Sequence, residues 1–261
     1  MVATAAILQA PDHGPWYAET DLARFPAEPV NTFSNLVFLL ILVLGLRKMW
    51  RTKIRSPFFF TAYAFLAVGW LGGTLYHATR SSVVWAVMDF APIAILCLMA
   101  SAWLVHRLTP GGRQRYLLIV LPALAGAGAG HHWLASAPLR AGVVYAILAT
   151  LVVAPGALHC AAAGGKRAGI LVVAVAAFAT ALFFRTYDAE LIGAVPRTGT
   201  HFLWHLFGGL SAYLIFDYLH KTHSDERTAA DQKIKIPIAA ESVCPPVTQS
   251  DSPATFTAHS G

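Results

Sequence analysis

Residues 58–105, FFFTAYAFLAVGWLGGTLYHATRSSVVWAVMDFAPIAILCLMASAWLV, contain two long apolar runs joined by a short polar connection. Each run is long enough to cross a bilayer as a helix, which takes about 20 residues. His77, Arg80 and Asp89 lie in and around the connection. Ionisable groups at such positions cost free energy unless they are paired or functional. The stretch therefore predicts two membrane helices with a polar site near their junction.

The composition of the whole chain favours a membrane protein. The 261 residues are 56% hydrophobic and 12% charged, whereas soluble domains carry about 25% charged residues. The net charge of +6 comes from basic residues that lie between apolar runs and do not form a continuous stripe. This pattern follows membrane topology and argues against nucleic-acid binding. The three cysteines have no spacing that indicates a metal site or a disulfide framework.

Seven apolar segments are predicted to cross the membrane, so the expected fold class is all-α, a seven-transmembrane helical bundle. Their cores are residues 33–46, 58–76, 84–105, 116–134, 142–158, 169–184 and 201–219. The first and sixth cores are short, and we expect them to extend into their flanks. Basic residues concentrate in the first, third and fifth connections, which the positive-inside rule assigns to the cytoplasm. The N-terminus is then outside and the C-terminus cytoplasmic, as an odd number of spans requires.

The chain divides into three predicted regions. Residues 1–32 form an extracytoplasmic N-terminal segment, residues 33–221 the membrane domain, and residues 222–261 a cytoplasmic tail. The tail is too polar to fold alone and is predicted to be disordered. No eukaryotic sorting signal is evident, which favours a bacterial inner membrane over the endoplasmic reticulum or Golgi.

Three histidines and an aspartate are predicted to share one depth near the outer boundary. His77 ends the second span, and Asp89 lies in the outer half of the third. His201 and His205 open the seventh span on one helix face, because they are four residues apart. Three histidines with a fourth position for water are typical of catalytic zinc, and Asp89 would accept a proton from that water. The alternative is that His77 is an interfacial residue and Asp89 pairs with Arg80.

Two other polar pairs lie near the same boundary. His131 and His132 have no helical partner of matching geometry, so we interpret them as interfacial residues, with a supporting ligand or a substrate contact as the alternative. Asp188 is expected to pair with Arg185 and to brace the seventh span. Neither pair is assigned to the predicted metal site.

Five short blocks of the sequence resemble the motifs of a known family. They are EPVNTFSN (28–35), GGTLYHAT (72–79), MDFAPI (88–93), FFRTYD (183–188) and GTHFLWH (199–205). In this order they resemble the alkaline ceramidases, which belong to a superfamily of seven-span membrane hydrolases that includes the adiponectin and progestin receptors. The resemblance implies zinc held by His77, His201 and His205. It also implies that Asp89 lies on the zinc-bound water, that ceramide is hydrolysed to sphingosine and fatty acid, and that a helical bundle encloses a lipid-accessible cavity.

Two regions depart from the family pattern. The family has a serine four residues before the first histidine, where this chain has Gly73. The neighbouring Thr74 is the candidate catalytic hydroxyl, although one residue turns a helix by about 100°. Loss of an oxyanion donor can cost about 10²–10³ in rate. The family also binds calcium through an N-terminal acidic cluster, for which Glu19, Asp21 and Glu28 are the candidate ligands; alternatively, these are solvated carboxylates.

Two functions remain open from the sequence. The first is a zinc-dependent intramembrane amide hydrolase acting on ceramide or a ceramide-like N-acyl lipid. The second is a seven-helix lipid-binding receptor with a structural zinc site and little turnover, which Gly73 favours. A transporter is disfavoured, because transporters usually show internal repeats and broken helices at the midplane.

Overall fold

The structure is a computed structural model that describes residues 11–109, 125, 137–193 and 197–241. All regular secondary structure within these residues is helical. The helices are α1 (Pro29–Ser34), α2 (Leu36–Thr52), α3 (Pro57–Thr79), α4 (Val83–Leu108), α5 (Ala137–Ala162), α6 (Ala168–Thr186) and α7 (His201–Glu241). A short 3-10 helix, Glu190–Gly193, lies between α6 and α7.

Six helical segments within the described ranges are long and apolar enough to cross a membrane. Helices α1 and α2 together form the first of them, Pro29–Thr52, and α3 to α7 contain the other five. The first and sixth predicted cores extend into their flanks, as expected. The predicted fourth span, residues 116–134, lies outside the described residues, as do His131 and His132.

The helix ends follow from local sequence. Pro29 and Pro57 occupy the first turns of α1 and α3, where the missing N–H of proline costs no helical hydrogen bond. The Ser82 side chain caps α4 by accepting a hydrogen bond from the Val84 N–H at 3.2 Å. Arg80 ends α3 in the left-handed conformation, with φ 49°.

Helices α3 and α4 approach each other closely at Gly72. A Cβ atom at Gly72 would overlap the side chain and the backbone of Met88. Small residues at such crossings let two membrane helices approach each other. The close packing brings Asp89, the residue after Met88, directly against α3.

The apolar residues divide into a packed interior and a lipid-facing surface. One buried cluster joins α2, α3, α4, α5 and α7, and it includes Ile41, Phe59, Leu104, Val152 and Leu219. Large apolar side chains are exposed along the outer faces of helices α2 to α6. Examples are Leu40, Trp50, Phe60, Val87, Leu158 and Val172. A soluble protein rarely exposes so many, so these faces fit contact with lipid.

The last helix differs from the prediction. The described residues up to His220 form one compact unit and those from Lys221 a second. Helix α7 continues to Glu241, whereas the sequence predicted disorder from residue 222. Residues 226–232 are rich in Glu, Arg, Ala and Gln, which have high helix propensity even where the segment is polar. Disorder beyond Glu241 stays a prediction, because residues 242–261 lie outside the described part.

Candidate metal centre

Three buried histidines lie together where α3 ends and α7 begins. His77 is in the last turn of α3, His201 is the first residue of α7, and His205 follows one turn later. One ring nitrogen from each lies within 4.8 Å of the others, and none of the three side chains is more than 2% exposed. Among the described residues, this is the one group of His, Cys, Asp or Glu side chains close enough to hold a metal ion.

Hydrogen bonds fix which nitrogen of His205 is available. The Ser34 hydroxyl donates to the backbone carbonyl of Asn31 at 2.9 Å, so its single proton is used. Its oxygen lies 2.6 Å from Nδ1 of His205 and must accept, which places the proton on Nδ1. The Nε2 atom of His205 then carries a lone pair. Such outer partners orient metal-binding histidines and set their tautomer.

Glu28 acts in the same way on His77. Its Oε2 atom lies 2.5 Å from Nδ1 of His77, and its side chain also accepts from Thr20, Asn31 and Arg80. Burial alone would raise the pKa of Glu28, but the hydrogen bond from His77 and the charge of Arg80 outweigh burial and lower this pKa to about 2. The carboxylate is therefore ionised at neutral pH and accepts a hydrogen bond from the Nδ1–H group of His77.

The free nitrogens fit a soft divalent ion such as zinc. Nε2 of His77 and Nδ1 of His201 are buried and have no hydrogen-bond partner within the described structure. Buried polar atoms are nearly always partnered, so these orphaned atoms leave room for a ligand. Neutral imidazoles held by outer hydrogen bonds are typical zinc ligands. Zinc binding by the three histidines nevertheless stays a prediction.

Two other groups hold His201 in place. Asp188 accepts hydrogen bonds from the backbone N–H groups of Thr200, His201 and Ala18, at 2.5, 2.8 and 2.8 Å. This carboxylate therefore caps α7 and ties the N-terminal segment to it. The Tyr17 ring stacks on the His201 ring, with 3.7 Å between centroids. The sequence predicted that Asp188 braces this helix but gave it the wrong partner.

The predicted partner, Arg185, lies elsewhere. Its guanidinium lies 4.8 Å from the ring centroid of Tyr145 and 5.6 Å from that of Trp204. The Arg185 side chain is 9% exposed, so stacking on aromatic faces stabilises a buried cation here.

Asp89 faces the site from α4. A Cβ atom at Gly73 would lie 2.5 Å from Oδ1 of Asp89 and 2.8 Å from Oδ1 of Asn35. The glycine thus makes room for the carboxylate, and the Asp89 and His205 side chains line one cavity. Arg80 binds Asp12 and Glu28 instead of Asp89.

The Thr74 hydroxyl is used within its own helix. It donates to the backbone carbonyl of Trp70 at 2.7 Å, and α-helical geometry turns it about 100° away from Gly73. A catalytic role for Thr74 stays a prediction that this geometry does not favour.

The candidate calcium ligands have separate partners. Both oxygens of Glu19 accept from the backbone N–H groups of Val30 and Asn31 at the start of α1, at 2.8 and 2.9 Å. Asp21 is exposed and accepts from the Ala23 N–H at 3.0 Å. Glu28 binds protein donors, as described above. Glu19, Asp21 and Glu28 do not form a metal-binding group within the described residues, and their role as calcium ligands stays a prediction.

An elongated apolar cavity adjoins His205. It encloses about 220 Å³ between α3, α4, α5, α6 and α7. Its lining includes Asp89 and follows α7 from Trp204 and His205 to Leu219. At 1.5 Å per residue, 14 residues of helix cover about 21 Å, which exceeds the depth of one leaflet of a hydrocarbon core roughly 30 Å thick. The cavity therefore has the length and lining that a lipid chain requires.

Sequence reasoning missed three partners of the site. Ser34, Tyr17 and Asp12 are far in sequence from the groups they contact. Ser34 and the acidic residue of the same block, Glu28, lie within the EPVNTFSN motif, which was a usable signal. Nothing in the local pattern indicated Tyr17 or Asp12.

The comparisons with known proteins agree with this geometry. The family model described as Ceramidase matches residues 21–248, a range that contains all three histidines and Asp89. No curated protein matches the chain. Since the family match covers most of the 261 residues, this protein belongs to the ceramidase family.

Proposed function

We propose that this protein is a zinc-dependent amide hydrolase of the membrane that acts on ceramide or a ceramide-like N-acyl lipid. The observation that carries the proposal is the group of three buried histidines, of which His205 lines an apolar cavity together with Asp89. The ceramidase family match supports the reaction class. Hydrolysis would release a fatty acid and an amine.

His77, His201 and His205 would hold the ion. Zinc bound there would supply a Lewis acid for the amide carbonyl and lower the pKa of a bound water. Glu28 and Ser34 keep Nδ1 of His77 and His205 protonated, so that Nε2 of each would be available to bind the ion. Asp188 fixes the backbone from which His201 projects.

Asp89 would move the proton. Amide hydrolysis requires a base for the attacking water and an acid for the departing nitrogen, because an amine leaves only after protonation. The Asp89 carboxylate is the acidic side chain that lines the cavity with His205. It would accept the proton of the water on an Oδ atom and deliver it to the amide nitrogen.

The cavity and the apolar helices support a lipid substrate. The acyl chain would lie along α7, with the amide near His205 and Asp89. The proposed topology keeps seven spans, with the N-terminus outside and the C-terminus in the cytoplasm. The proposed location is a bacterial inner membrane.

The direct test compares wild-type protein with His77→Ala by mass spectrometry of lipids. Purified protein in mixed micelles is incubated with an N-acyl sphingosine, and the fatty acid and the amine are measured. We expect equimolar products from wild type and background levels from His77→Ala. Equal product from both proteins would exclude the histidine site as the centre of hydrolysis.

The receptor remains the second candidate because of Gly73. Tight binding of the N-acyl lipid by zinc-loaded wild type, with no product at any pH, would favour a receptor.

Gly73→Ser tests how this chain uses the space at position 73. Although the substitution restores the serine of the family pattern, we expect hydrolysis to fall by about 10²-fold, because Cβ at this position displaces the Asp89 carboxylate. Gly169→Ser on α6 is the matched control, since a Cβ there meets no other atom of the described structure within 4 Å. The measurement is kcat for both variants at equal zinc content. A rise in kcat for Gly73→Ser would contradict the expected displacement of Asp89.

A further inference from the structure

The N-terminal segment folds around a buried guanidinium, which belongs to Arg80 at the end of α3. Arg80 is 0% exposed. Its Nε atom donates to Asp12 Oδ2 at 2.6 Å, and its Nη2 atom donates to Asp12 Oδ1 at 3.1 Å and to the Pro15 carbonyl at 2.9 Å. Its Nη1 atom donates to Thr20 Oγ1 at 3.1 Å and to Glu28 Oε1.

The ligands of this guanidinium are the kind that calcium uses. Carboxylate, hydroxyl and backbone carbonyl oxygens from different parts of a loop are typical of calcium coordination. The two carboxylates, on Asp12 and Glu28, would balance the charge of one divalent ion. The candidate calcium ligands identified in the sequence do not fit such an ion, because Glu19 caps α1 and Glu28 already binds Arg80 and His77.

We propose that the Arg80 guanidinium takes the place of a bound divalent ion. It thereby holds residues 12–28 over the histidines without calcium. The backbone supports this role. Arg80 has a φ of 49° at the end of α3, where glycine is usual. A non-glycine residue in this conformation persists where surrounding contacts over-determine it, as the five oxygens around this side chain do.

Arg80 also acts on the metal site through Glu28. The two oxygens of that carboxylate divide their contacts: Oε1 accepts from Arg80 and Oε2 from Nδ1 of His77. The guanidinium also lies over the rings of Tyr76 and Tyr17, at 4.7 and 5.7 Å, and Tyr17 stacks on His201. Arg80 is therefore a positioning residue for two of the three histidines.

The test is a calcium titration of zinc-loaded protein in detergent, followed by calorimetry and by thermal unfolding. Wild type is expected to bind no calcium and to keep its Tm. Arg80→Met leaves two buried carboxylates without a cation, so its Tm in calcium-free buffer should fall by roughly 10 °C. Calcium should restore much of this loss, and magnesium less, because magnesium demands a stricter octahedral geometry.

Three further variants complete the design. Lys53→Met is the matched control, since Lys53 is also a basic residue in the left-handed conformation at the end of a helix; its calcium response should equal that of wild type. Arg80→Lys keeps the charge and should recover part of the Tm without calcium.

Stoichiometric calcium binding by wild type, lost in Glu28→Gln, would overturn the proposal. So would equal calcium responses of Arg80→Met and wild type. If Arg80→Met does not fold, the wild-type and Arg80→Lys titrations decide. None of these readouts depends on lipid hydrolysis.

Discussion

Asp89→Asn is expected to reduce lipid hydrolysis by about 10²–10⁴-fold, the range typical of a general acid–base group, while zinc content stays at the wild-type level. Asparagine has nearly the same shape as aspartate, so it still fits the space beside Gly73. It cannot accept a proton from water or donate one to the departing nitrogen. The measurement is kcat with an N-acyl sphingosine, together with zinc per protein by elemental analysis.

The control for this variant is Asp217→Asn. Asp217 is a carboxylate on α7, and it accepts a hydrogen bond from Nζ of Lys48 at 2.5 Å. Loss of this carboxylate should leave kcat within a few-fold of wild type. Wild-type kcat in Asp89→Asn would remove Asp89 from the chemistry. Parallel loss of zinc and activity would instead make it a structural support of the metal site.

The double substitution His201→Ala plus His205→Ala should abolish both zinc binding and hydrolysis. Two of three ligands are lost, and the single remaining imidazole of His77 cannot hold a four-coordinate ion. We expect a zinc content of roughly a tenth of the wild-type value or less. We also expect the amount of product to stay at the background level.

His220→Ala is the matched control for the double variant. His220 is a buried histidine on the same helix, but its Nε2 atom binds the Tyr63 hydroxyl at 2.9 Å. This control should keep its zinc even if its Tm falls. Stoichiometric zinc in the double variant would end the proposed coordination. Circular dichroism separates loss of metal from loss of fold in both proteins.

Much of the architecture could be predicted because the bilayer constrains it. Apolar length sets the spans, so the helices were expected at nearly the positions they occupy. The spacing of His201 and His205 places both on one face of α7. The pairing of these residues with His77 needed only the direction of each span. The helical segment from 222 to 241 was missed, because a polar composition reports the lack of a core and not the lack of helix propensity.

The hydrogen-bond partners of the site could not be predicted in the same way. Arg80 has several acidic residues within reach in sequence, and only the folded N-terminal segment decides between Asp12, Glu28 and Asp89. Gly73 is a similar case. In the sequence, Gly73 indicated only that the serine of the family pattern is missing. In the structure, the space beside Gly73 is filled by the carboxylate of Asp89 from the next helix.

The covered position of the histidines has a kinetic consequence. With Tyr17 stacked over His201 and at most 2% of any of the three side chains exposed, bulk solvent is an unsuitable route for a molecule with two hydrocarbon tails. Such a substrate would diffuse laterally from the surrounding leaflet and pass between helices into the apolar cavity beside His205. The rate of turnover would then depend on the mole fraction of the substrate lipid within the bilayer. A Michaelis constant should therefore be expressed as a mole fraction in the membrane and not as a concentration in the whole sample.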